Sequence, residues 1–239
     1  MECFAVDRKI FLLVFIAGFS LSCSGTGRAV KGAYSEPGSP RNIVVCFGDS
    51  VTLGVGKDNW EGFFRSRAYP AFLGKKVKIP VINAGVAGDT TEDALGRLNN
   101  DVLSRNPRVV IVFLGINDFL DGERISKMEQ NYSSILEGLN AKERKIFIVR
   151  FFSKDIFWDI IENWNMTDDE KRDYIERYNL MFGRLESNYN VDIIDDVWKG
   201  VWKTNMSDHI HPNREGYKVM ADNILSSIKP YLEINGFLK

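Results

Sequence analysis

At 239 residues, 44% of them hydrophobic and 12% aromatic, the chain carries enough apolar material for one α/β domain with its own core. A net charge of −1 supplies no basic field, so nucleic acid is excluded as the main expected partner. Cys3, Cys23 and Cys46 cannot form a disulfide framework, and His209 and His211, with no Cys-x-x-Cys pair, make no dedicated zinc site.

In chain order the first feature is an address. Arg8 and Lys9 precede the apolar run Ile10 to Ser22, which is too short for a membrane span of roughly 20 residues but suits the apolar part of an export signal. Ser20-Leu21-Ser22 before Cys23 resembles a bacterial lipoprotein signal, with Cys23 as the lipidated residue, although the aliphatic residue favoured three positions before the cysteine is Ser20 here. An ordinary cleaved signal and an uncleaved anchor or buried helix are the competing readings. Residues 1–22 are therefore expected as a signal, 23–41 as a flexible Gly/Ser/Pro-rich tether, and 42–239 as the domain. The expected place is the cell envelope, with the membrane touched only through the N-terminal anchor.

From Asn42 onward, short β-rich runs alternate with helical patterns. Strands are expected at Ile43 to Phe47, Ile79 to Asn83, Val109 to Leu114, Ile146 to Phe151 and Val191 to Ile194. Helices are expected within Glu92 to Ser104, Ser126 to Asn140, Asp169 to Asn188 and Arg214 to Leu232. Such alternation predicts a parallel sheet of five strands with helices on both faces, a three-layer α/β/α sandwich. Sites in such sheets form beyond the carboxyl ends of the strands, where Gly48-Asp49-Ser50, Gly85 to Thr91 and Gly115 to Asp118 all fall.

Ser50 follows its strand directly, in the position of an exposed nucleophile or of an ordinary helix cap. Rival motifs fail there. An α/β-hydrolase elbow needs Gly where Thr52 stands, a phosphate loop needs Gly where Val51 stands, and a dinucleotide fingerprint needs Gly or Ala where Asn59 stands. Near the other end, Asp208-His209-Ile210-His211-Pro212-Asn213 puts an acid three residues before a histidine. Serine is a weak nucleophile until a base takes its proton and a carboxylate holds that base in the right tautomer, work suited to His211 and Asp208. A helix-capping loop is the plainer alternative for the same residues. Gly88 and Asn117 offer an N–H and an amide for a developing oxyanion, and both are equally ordinary turn residues.

Taken together, GDS at 48–50, Gly88 in AGDT, Asn117 in GIND and D-x-x-H at 208–211 resemble, in the same order, the four blocks of the SGNH (GDSL-type) hydrolases. Tyr69-Pro70-Ala71, VINAGVAGDT and DHIHPN look most like the bacterial thioesterase/arylesterase/lysophospholipase subgroup, and the likeness spans about Ile43 to Ile228. The resemblance implies a flavodoxin-like fold and a monomeric, cofactor-free serine esterase. Its triad would be Ser50, Asp208 and His211, with an oxyanion hole of Ser50, Gly88 and Asn117. Asp49, Ile116 and Ile210 would touch a small-molecule ester or acyl substrate. A carbohydrate O-deacetylase with the same triad, or a surface binding module without chemistry, are the alternatives. Where relatives look shorter, Ser153 to Glu170 adds Ile156, Phe157, Trp158, Ile160, Ile161 and Trp164, either as an extra packed helix or as an acyl-pocket wall or lid.

Overall fold

The computed structural model describes residues 39–56, 65–152 and 166–239. The expected signal, the tether up to residue 38, and the aromatic part of the 153–170 segment lie outside the described residues. Five strands, β1 (Arg41–Gly48), β2 (Val81–Gly85), β3 (Pro107–Phe113), β4 (Lys145–Val149) and β5 (Val191–Ile194), form one wholly parallel sheet in the order β2-β1-β3-β4-β5. Val44 to Phe47 and Val109 to Phe113 are buried, as central strands covered on both faces must be. The sequence places β2 two residues too early. Pro80 has no N–H to give a ladder, and it contributes only its carbonyl, which accepts from Val44 N–H, before pairing starts at Val81.

The helices are α1 (Ser50–Leu53), α2 (Tyr69–Gly74), α3 (Thr91–Asp101), α4 (Ile116–Leu120), α5 (Ile125–Leu139), α6 (Asp168–Asn188) and α7 (Arg214–Ile234). α2 packs on α7, while α3 packs on α5 and α5 on α6, giving the two helical layers of the sandwich. Starts are set by side chains. Thr90 with Asp93, and Thr167 with Glu170, close reciprocal capping boxes on α3 and α6, and Asn213 Oδ1 accepts from Gly216 N–H at the start of α7. No helix among the described residues is long and apolar enough to cross a membrane.

Register decides where chemistry can sit. Gly48 pairs with Gly85 on one side and Phe113 on the other, so β1, β2 and β3 end level. The sheet order reverses its direction of growth between β1 and β3, which opens a crevice at that edge. A cavity of about 850 Å³, lined by residues such as Arg108, Arg144, Tyr189 and Tyr231, opens at the amino-terminal rim of the sheet and has no residue in common with that edge.

Candidate active site

Gly48 ends β1, and Asp49 turns the chain into α1, its Oδ1 accepting from Val51 N–H at 2.9 Å. Ser50 is thus the first residue of a four-residue helix and is 8% exposed. The backbone packs closely here, because a methyl group on Gly85 would overlap the main chain of Leu53 and one on Gly48 would overlap Thr52 and the Phe113 carbonyl. The Asn83 amide fastens the far end of α1 by donating to Thr52 O at 2.8 Å.

His211 arrives on a loop closed by a bridge between Met206 and Pro212 and by the Ser207 N–H donating to His211 O at 2.7 Å. Asp208 Oδ1 accepts from Ile210 N–H at 2.9 Å and His211 N–H at 2.7 Å, so the acid folds its own loop. His211 Nδ1 lies 2.8 Å from Asp208 Oδ2, and Nε2 lies 2.8 Å from Ser50 Oγ, a contact across 161 positions. With the proton on Nδ1 donating to Asp208, Nε2 is the free acceptor for the serine hydroxyl. Burial raises the Asp208 carboxyl, but bonds and charge from His211 and the two backbone N–H groups outweigh it and bring the pKa down to about 2. His209 points to solvent, and Asn213 rather than Asp208 caps α7.

Gly88 sits at φ +84°, exposed, with open space where a side chain would be. Asn117, in the first turn of α4, donates from Nδ2 to Asp89 O at 2.8 Å, which ties it to the Gly88–Asp89 turn. Asp118, next to it, is buried and accepts from Thr91 N–H at 2.9 Å and Thr91 Oγ, docking α4 onto α3, and burial raises its pKa against those bonds. Sequence reasoning passed over Asp118 because its partner lies 27 residues away on another element.

Of the three residues expected to touch substrate, Asp49 is 1% exposed, Ile116 1% and Ile210 6%, and each is the sequence neighbour of Ser50, Asn117 or His211. Burial pushes the Asp49 carboxyl up to about 7, with its Val51 bond and the His211 charge opposing and Asp89 and Asp118 reinforcing. No cluster of His, Cys, Asp or Glu among the described residues is arranged to hold a metal ion.

The GDSL-like Lipase/Acylhydrolase family model matches residues 46–219, the stretch that carries all of these groups. The chain belongs to this family. Its relatives among the GDSL hydrolases include the thioesterase 1/protease 1/lysophospholipase L1 of Escherichia coli strain K12, 26% identical over 194 residues, covering 79% of this chain and 84% of that one. The uncharacterized lipoprotein YqeF of Bacillus subtilis strain 168 is 32% identical over 113 residues, covering 46% of this chain and 39% of the relative. In fold, the psychrotrophic esterase EstA of Pseudoalteromonas sp., solved with monoethylphosphonate as inhibitor, superposes with a TM-score of 0.63 at 19% identity, over 81% of this chain and all of that one. Membership makes this GDSL hydrolase an enzyme of the ester-hydrolysing type, with small-molecule esters as its substrate class.

Proposed function

We propose that the protein is a serine esterase that cleaves carboxylic or thio esters of small or lipid-like acyl groups through an acyl-enzyme on Ser50. The observation that carries this reading is the unbroken chain Ser50 Oγ, His211 Nε2, His211 Nδ1, Asp208 Oδ2, with both links at 2.8 Å. In the first half-reaction Ser50 Oγ attacks the acyl carbon while His211 takes its proton. The imidazolium, steadied by Asp208, then gives that proton to the departing alcohol or thiol. Water then attacks the acyl carbon while His211 takes its proton, and His211 returns that proton to Ser50 Oγ as the bond from Oγ to the acyl carbon breaks and the acid leaves. Negative charge on the carbonyl oxygen is met by the N–H groups of Ser50 and Gly88 and by the Asn117 amide, each such donor being worth a factor of about 100 to 1,000 in rate. The open space at Gly88 and the half-buried Asn117 side chain support that role.

Ser50→Ala is expected to abolish hydrolysis of a chromogenic acyl ester and labelling by a fluorophosphonate while leaving the circular dichroism spectrum unchanged. Full activity in that variant would refute the assignment. A panel of short and long acyl esters, acyl thioesters and acetylated sugars on the wild-type protein identifies the substrate group, and preference for acetylated sugars would make it a deacetylase instead. For location we propose a lipid-anchored envelope protein modified at Cys23, supported by the apolar run before that residue and by the likeness to a lipoprotein.

A further inference from the structure

α3 carries an arginine whose guanidinium reaches the edge where Ser50 lies with three of its hydrogen bonds. Arg97 Nε donates to Asp89 Oδ2 at 2.5 Å, Nη1 donates to Ala84 O at 2.9 Å and Asp101 Oδ2 at 2.8 Å, and Nη2 donates to Gly48 O at 2.9 Å. The group lies over Phe47, 4.5 Å from its ring centroid, and the side chain is 16% exposed. One planar fork therefore holds the last carbonyl of β1, the carbonyl before the end of β2, and the carboxylate of the turn that follows β2.

Each donor of the proposed oxyanion hole lies next to something this fork holds. Ser50 N–H is two residues past Gly48, Gly88 N–H is one residue before Asp89, and the Asn117 amide donates to the main-chain carbonyl of Asp89. Two carboxylates, Asp89 and Asp101, surround the single positive charge, so the guanidinium has little field left for an oxyanion. Its contribution is geometric.

We propose that Arg97 is a positioning residue that sets the spacing of the oxyanion donors, acting through Gly48 and Asp89 without touching substrate. The proposal rests on the reading of Ser50 as nucleophile and of Gly88 and Asn117 as donors. Lysine keeps the charge but is a point donor, unable to span three separate acceptors in the planar geometry of arginine. Displacing a reacting group by about 1 Å costs up to about 100-fold in rate.

The test measures Arg97→Lys and Arg97→Ala well below their melting temperatures, with reacting Ser50 counted by fluorophosphonate titration so that kcat is per active site. Expected is a fall in kcat of about 10- to 100-fold with KM within about threefold and the wild-type shape of the pH profile. Methylguanidinium should restore Arg97→Ala at least about threefold by refilling the fork. Hydrogen exchange at residues 85–89 should rise in both variants. A purely structural role would lower the melting temperature and the titre of reactive sites while kcat per site stayed at the wild-type value, and that result overturns the proposal. Unchanged exchange at 85–89 overturns it as well, and that readout needs no turnover. Should Ser50→Ala retain full activity, the esterase reading fails separately, and the exchange measurement alone still decides whether Arg97 frames this edge.

Discussion

Asp49 and Asp208 are carboxylates that both feel the charge of the His211 imidazole, and their surroundings push their pKa values apart. Asp49, buried beneath α1, faces His211, Asp89, Asp118, Tyr69 and Tyr217, and holds its proton up to about pH 7 against a usual value of 3.8. Between those two values the folded chain keeps a proton that the unfolded chain gives up, so stability falls as pH rises through that window and levels off above it. Asp49→Asn keeps the Oδ1 acceptor for Val51 and removes the titration. Its unfolding free energy relative to wild type should therefore improve from about pH 4 to about pH 8, by on the order of 3 kcal/mol, as read from urea titrations at the two pH values. A flat difference across that range would show that Asp49 does not titrate there. Asp208 runs the other way. Its depressed pKa of about 2 keeps it ionised throughout the working range, with stability lost only as pH falls below the usual carboxylate value toward about 2. Asp208→Asn presents His211 with the wrong tautomer, and kcat should drop by up to about 10,000-fold with labelling of Ser50 slowed in parallel. An unchanged kcat would mean that another carboxylate serves the imidazole.

At the scale of elements, α1 is the fragile piece, four residues long and closed by only a few main-chain hydrogen bonds of its own, such as Leu53 N–H to Asp49 O and Gly54 N–H to Ser50 O, so it depends on its neighbours. A methyl group at Gly85 has no room against Leu53, so Gly85→Ala must push α1, and with it Ser50, away from β2. The expected cost is about 1–3 kcal/mol in urea unfolding, together with slower fluorophosphonate labelling of Ser50. Labelling at the wild-type rate would mean that α1 yields without moving Ser50. The same shortness explains what the sequence hid. α3, α5, α6 and α7 run 11 to 21 residues, long enough to show a 3.6-residue period, and three of them carry side-chain caps, so they were legible to within three residues at each end. α1, α2 and α4, at 4 to 6 residues, show no period and exist because the sheet edge and the core order them. The site divides in the same way. Asp208 and His211 are three residues apart and Ser50 follows closely on a strand run, all local signals, whereas the bond from Arg97 to Gly48 spans 49 residues and only the fold makes it.

At the scale of the whole molecule, β1 fixes a polarity. Its eight residues run from Arg41 at one rim of the sheet to Gly48 at the rim that carries Ser50, a rise of about 25 Å. Whatever precedes Arg41 therefore joins the domain on the side away from His211 and Asn117. Between Cys23 and Arg41 the chain is long enough to reach roughly 60 Å at full stretch, more than the depth of the sheet, so the proposed anchor at Cys23 need not press on the edge that carries Ser50. Anchoring and turnover should then separate. Cys23→Ser is expected to move the protein from the membrane fraction to the soluble fraction in cell fractionation, while kcat and KM for a short, water-soluble ester stay within about twofold of wild type. A chain beginning at residue 39 should match it on that substrate and lose rate only on esters that reside in the bilayer, where the anchor raises the local concentration of enzyme. A tenfold loss on the soluble ester would show instead that the N-terminal segment reaches round the domain and takes part in the site, and an unchanged membrane fraction for Cys23→Ser would refute the lipid anchor.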